Sequence, residues 1–199
     1  MSLAFVFSLI YFSICVVYIL FALYVVFLDM RSKINRLFFT LCLLLGIWTF
    51  SYAIANSAPD QETALIWMRV AVFGWGMMAA LFLHCVLAMT GKEQFLKNKW
   101  LYVLLYLPGA VTVFVFGISG GLAAEQYQLI NSGAGWVNIA DHGAWLRFYY
   151  IYAISFSLAA IYLLWGWQKR TEETTKKKLS RWLIISIFVM PVSTLHRYL

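Results

Sequence analysis

Few side chains in this sequence could do chemistry, and those few interrupt apolar runs: Arg69, His84 and Arg147 stand in or beside stretches with almost no other charge. An ionisable group in that setting is a functional candidate by default, because an unpaired charge in hydrocarbon costs at least a few kcal/mol. Arg69 lies about one helical turn inside the third apolar run, where its stem can follow the helix while its guanidinium reaches the lipid headgroups. A sharper reading pairs it with Glu62, seven residues earlier on the same helical face, as the rim of a site for an anionic ligand flanked by Trp67 and Trp75. Arg147 begins the fifth run at matching depth, so the two cations either share one outer vestibule or act as separate anchors.

His84, in Leu81-Phe82-Leu83-His84-Cys85, falls about 7 Å inside the opposite end of the third run, at the rise of ~1.5 Å per helical residue. A proton relay or metal site there would need a second His or a carboxylate from a facing run, and no other run supplies one. His84 therefore reads as a buried imidazole hydrogen-bonded to a neighbouring helix. The sequence offers no nucleophile with its base, no carboxylate pair inside the runs, no His-rich metal spacing and no Gly-rich phosphate loop, so no catalysis, cofactor or metal is expected. The lack of carboxylates in the runs also weakens a proton-driven transporter.

The elements that would position these groups follow from composition. Of 199 residues, 63% are hydrophobic and 12% charged, against roughly 45–50% and about 25% in soluble domains. A water-soluble core could not absorb that apolar surface. Nine Trp and twelve Tyr suit a protein with two membrane interfaces, where an amphipathic ring keeps one edge wet. The net charge of +7 is confined to connectors between the runs, which argues against nucleic acid as a partner and for membrane topology. Cys15, Cys42 and Cys85 all lie inside runs without a Cys-x-x-Cys spacing, so neither disulfides nor zinc are expected.

A spanning helix needs roughly 20 apolar residues, and six runs qualify: 3–28, 37–55, 65–89, 100–118, 145–167 and 182–199. The first is too long for a signal-peptide core and has no basic lead-in, so cleavage is not expected. No repeat or low-complexity linker divides the series, and the chain reads as one all-α, polytopic membrane bundle over 1–199. The connectors 29–36, 91–99 and 169–181 hold three, three and six Lys/Arg, whereas 56–64 and 119–144 hold none and carry Asp60, Glu62, Glu125 and Asp141. By the positive-inside rule the basic connectors are cytoplasmic and the N-terminus is outside, with His196, Arg197 and Leu199 emerging outside after six crossings.

Within the runs, Pro108 and Pro191 each remove an intrahelical hydrogen bond and favour a kink. Gly74-Trp75-Gly76 permits close approach by another helix. The long connector 119–144, with Gly120, Gly121, Gly133, Gly135, Trp136, Asp141 and His142, is either a lid over an outer site or a tether. Lys176, Lys177 and Lys178 read first as contacts to anionic membrane lipid, at about 1 kcal/mol each.

Particular residues then resemble a known family. Asn35-Arg36-Leu37-Phe38-Phe39-Thr40-Leu41-Cys42 followed by Ile47-Trp48-Thr49-Phe50-Ser51-Tyr52 looks like the second span of the N-terminal seven-transmembrane sensor region of bacterial histidine kinases. Glu62-Thr63-Ala64-Leu65-Ile66-Trp67-Met68-Arg69, Gly74-Trp75, Leu81-Phe82-Leu83-His84 and Thr90-Gly91-Lys92 are similar to its third span, Tyr106-Leu107-Pro108 to its fourth and Trp136 to its aromatic outer loop. The likeness covers nearly the whole chain, in packing and interface residues rather than chemistry. It implies a multi-pass protein of the bacterial cytoplasmic membrane that receives an unidentified small-molecule or membrane stimulus. The signal would pass to a cytoplasmic output domain or partner kinase, of histidine kinase or diguanylate cyclase type, in a homodimer. The chain departs from that pattern by ending after its sixth run, as a fragment or truncated product would. Under this reading Arg69, Trp75, His84, Trp136 and Arg147 are the candidate ligand-binding residues. A small transporter or permease subunit, or a membrane scaffold, are the competing readings.

Overall fold

The computed structural model describes residues 2–119, 127–139 and 143–195, with side chains to residue 185. Six helices run through it. Helix α1, Leu3–Asp29, starts where the Ser2 hydroxyl accepts the Phe5 amide at 3.3 Å. Helix α2, Lys33–Asn56, follows a tight turn. Helix α3, Gln61–Met89, is capped by Asp60, whose carboxylate accepts both the amide and the hydroxyl of Thr63, at 2.8 and 3.0 Å. These bonds satisfy orphan donors of the first turn and hold the exposed Asp60 carboxyl below its usual range.

A short 3-10 turn, Glu93–Lys97, leads to α4, Lys99–Val113, which stays helical through Pro108; the Thr112 hydroxyl donates to the Pro108 carbonyl at 2.9 Å. Helix α4 widens into a π-helical turn, Phe114–Ile118. The outer connector forms a hairpin of β1, Leu129–Asn131, and β2, Trp136–Asn138, antiparallel with Ile130 opposite Val137. The described residues otherwise form the all-α bundle expected from the sequence. The hairpin's tight link depends on glycine, since Gly133 and Gly135 take φ of 74° and 117°, which other residues rarely adopt. Helices α5, Ala144–Arg170, and α6, Thr174–Leu195, complete the chain.

Among the described residues, α1, α2, α3, α5 and the continuous segment Lys99–Ile118 are long and apolar enough to cross a membrane. Helix α6 opens earlier than the sixth apolar run, taking the basic residues Lys176, Lys177, Lys178 and Arg181 into its first turns. It continues through Pro191, whereas His196, Arg197 and Leu199 lie outside the described residues.

Helix α3 is the centre of the bundle, packed by α2, α4 and α5, and small residues set that geometry. A Cβ at Gly74 would stand 2.4 Å from the Leu44 carbonyl oxygen and 2.7 Å from the Trp48 Cβ, so α2 and α3 are in backbone contact there. Gly109 does the same for α4, where a Cβ would meet the Met77 sulfur at 2.9 Å and the Gly76 carbonyl at 3.1 Å. By contrast α1 packs chiefly on α2 and turns Leu9, Phe12, Leu20 and Phe27 outward. In water such a surface would be prohibitive; in lipid it is the expected outer face.

Candidate functional site

Two arrangements stand out at different depths. The first joins α3 to α5. Tyr152 of α5 is 3% exposed, and its hydroxyl accepts the Ala80 amide at 2.9 Å and donates to the Gly76 carbonyl at 3.3 Å. Those two backbone groups are four residues apart, the spacing of one rung of an α-helix. The hydroxyl therefore ties α5 to one rung of α3, and the missing side chain of Gly109, whose Cβ would stand 3.2 Å from it, leaves room for it. Trp75 lies just beyond, with its ring 4.6 Å from Tyr149 and 5.7 Å from Phe116, so it seams α3 to α5 and to the π turn. Tyr152 in turn stacks edge-on against Phe156 at 4.8 Å.

The second arrangement is at the basic end. His84 is 2% exposed, and its Nδ1 meets the Tyr106 hydroxyl of α4 at 2.6 Å, which is the neighbouring-helix hydrogen bond expected from the sequence. Its other nitrogen, Nε2, has no hydrogen-bond partner and points toward the Glu93 carboxylate 4.0 Å away. Glu93 is ion-paired with Lys33, the first residue of α2. One carboxylate in the 3-10 turn thus faces both the buried imidazole and the start of α2. Tyr102 packs edge-on to the His84 ring at 5.9 Å and closes the group. Among the described residues no three His, Cys, Asp or Glu side chains are grouped to hold a metal, and Cys15, Cys42 and Cys85 are free and buried.

The remaining candidates are dispersed. Arg69 has a buried Nε without a hydrogen-bond partner, and its carbonyl packs beneath Gly117 of the π turn. Among the described residues no ion pair joins it to Glu62. Trp67, expected to flank Arg69, packs edge-on to Phe50 of α2 instead. Arg147 is exposed in the first turn of α5. The Trp136 indole donates to the Ala58 carbonyl at 2.9 Å, and its ring joins a cluster of Ala55, Ala64, Met68 and Leu129, tying the hairpin to the α2–α3 corner. Of the outer connector, Gly120, Gly121, Glu125, Asp141 and His142 lie outside the described residues.

Sequence reasoning missed Glu93, Lys33, Tyr106 and Tyr152. The search for a partner to His84 covered apolar runs, whereas Glu93 sits nine residues later in a connector that folds back under the helix end. Tyr152 carried no signal among twelve tyrosines; only the four-residue pairing of Gly76 and Ala80 in space reveals it.

Together these features define a polytopic helical membrane protein with a central small-residue helix and interhelical polar contacts at Tyr152, His84 and Ser180. Residues 9–198 match the family model described as the N-terminal 7TM region of histidine kinase, so the chain belongs to that family. No curated protein and no solved structure matches it.

Proposed function

We propose that this chain is the sensory input region of a bacterial histidine-kinase receptor in the cytoplasmic membrane, a single domain over 1–199 that works in a homodimer. Its N-terminus faces outward, and the connectors carrying Lys33, Glu93 and Lys176 face the cytoplasm, where an output domain or partner kinase receives the signal. The family match along residues 9–198 carries this reading. The basic connectors support the orientation.

A stimulus reaches the hairpin end, near Arg69, Trp136 and Arg147, or acts through the bilayer. It can bias the bundle only by its differential affinity for two packings. The Tyr152 hydroxyl supplies such a pair: bonded to the Gly76 carbonyl and the Ala80 amide it ties α5 to α3, and withdrawn it frees α5 to shift against α3. Trp75, seamed to α5 beside it, moves with that exchange, and the His84–Glu93–Lys33 group lies at the end of α3 nearest the output.

An antibody to residues 127–139 would capture the receptor from membranes of the source cell, and labelled ATP would then be added. Acid-labile, base-stable phosphate on the captured protein, or on a protein held to it, is the expected result. Absence of label together with saturable solute uptake by proteoliposomes would assign the chain to a permease instead.

A further inference from the structure

Two basic side chains at the basic end of the bundle meet at one oxygen. Oε1 of Glu93 is the atom that Lys33 pairs with and the atom that faces His84 Nε2 at 4.0 Å. The two differ in their access to water. The Lys33 side chain is 48% exposed and that of Glu93 32%, whereas the His84 side chain is 3% exposed and its Nε2 has no hydrogen-bond partner. A gap of 4.0 Å is too long for a hydrogen bond. It fits a neutral imidazole whose proton sits on Nδ1, against the Tyr106 hydroxyl oxygen, and whose bare Nε2 is turned toward the carboxylate.

The groups set against His84 leave a proton arriving there one counter-charge. Helix α4 contributes Tyr102 and Tyr106, the 3-10 turn Glu93, and α2 Lys33. The buried thiols of Cys42 on α2 and Cys85 on α3 lie in the adjoining seam. Helix α5 meets this level of α3 with Ala160 and Leu164, packed on Leu83 and Val86. Among the described residues Glu93 is thus the carboxylate within reach of Nε2. A charged imidazole buried here is costly unless it is paired. Lys33, half exposed, gives up its ion pair easily because water replaces it. When His84 takes a second proton, Nε2–H donates to the Glu93 carboxylate, the carboxylate closes the gap, and Lys33 is released to water.

We propose that His84, Glu93 and Lys33 form a proton-operated latch between α3 and the start of α2, closed on Lys33 while His84 is neutral and on His84 once it is charged. Glu93, partly exposed, passes the proton from water to Nε2 and is left ionised. The latch answers to the compartment that the basic connectors face, which under the kinase reading is the cytoplasm. The exchange itself belongs to these three side chains and stands whatever output the chain is joined to.

The test uses the full chain in nanodiscs with a spin label at Ser32, which precedes Lys33 and whose side chain makes no capping bond. Label mobility is followed from about pH 8 to about pH 5, the range in which an imidazole ordinarily titrates. Mobility should rise in one step as pH falls. The chain has three histidines, so the double variant His142→Gln, His196→Gln leaves His84 as its one imidazole, and the NMR signal of a bare ring nitrogen should be lost over the same step. Glu93→Gln, without a charge for either cation, should leave the label mobile at both ends of the range, and His84→Gln should leave it held at both. The imidazole signal is read with His84 in place, so the proposal stays falsifiable if His84→Gln fails to fold. Three results would overturn it: an imidazole that stays neutral throughout, a label that titrates at a different pH from the imidazole, or a mobility step that survives in His84→Gln.

Discussion

Replacing Gly74 by Ala tests the packing of the bundle at its tightest point. The added Cβ would stand 2.4 Å from the Leu44 carbonyl oxygen, where carbon and oxygen normally approach to about 3.3 Å, so α2 and α3 must part by about 1 Å locally. The obstructing atoms are backbone and the first side-chain carbon of Trp48, which cannot rotate away. Overpacking of this kind costs about 1–3 kcal/mol, opposed by the ~1 kcal/mol that Ala gains over Gly in a helix. Gly46, also within α2, has nothing within 4 Å of where its Cβ would stand, so Gly46→Ala collects the helical gain alone. The difference between the two variants therefore isolates the overpacking at about 1–3 kcal/mol. Unfolding in mixed micelles with increasing dodecyl sulfate, followed by helical circular dichroism, measures it. Coincident midpoints for Gly74→Ala and Gly46→Ala would refute the close approach of α2 and α3.

Glu93→Gln should free Lys33 from the 3-10 turn with less than about 1 kcal/mol lost, because the pair is half exposed and screened by salt; a spin label at Ser32 should gain mobility, and unchanged mobility would contradict the pairing. Trp136→Phe leaves the Ala58 carbonyl without its donor and should cost about 1 kcal/mol, seen as faster amide exchange in the hairpin, whereas unaltered exchange would show that the tether does not hold it. Asp60 contributes through its ionised form, since the bonds from Thr63 hold its carboxyl below the unfolded value; that stability is complete above the unfolded pKa of about 3.9 and is lost as pH falls through the folded value. Asp60→Asn, which can still cap α3, should flatten the acid limb of the stability curve, and an identical limb would remove Asp60 from the account.

The helices were legible because lipid imposes a length and a composition that polar connectors punctuate, and the runs at 3–28 and 65–89 fall within helices Leu3–Asp29 and Gln61–Met89. Gly74 announced a close contact for the same reason, as only small residues let backbones meet. The hairpin escaped notice because three-residue strands leave too little alternation to read, although Gly133 and Gly135 marked its turn. Arg69 and Glu62 share a helical face by spacing, yet spacing does not decide whether their charges meet, and among the described residues no ion pair joins them. The His84 group was half legible: a lone imidazole predicts one interhelical bond, whereas the connector fold that brings up Glu93 is a tertiary fact.

The central claim is that a change of helix packing inside the membrane alters a cytoplasmic output. Tyr152→Phe keeps the ring against Phe156 but withdraws the hydroxyl from between Gly76 and Ala80. In receptor captured into nanodiscs, the rate of histidine phosphorylation from labelled ATP should change by about fivefold or more at equal folded protein, the lower end of ordinary allosteric coupling. An unchanged rate, with the variant folded and the wild type active, would contradict the account.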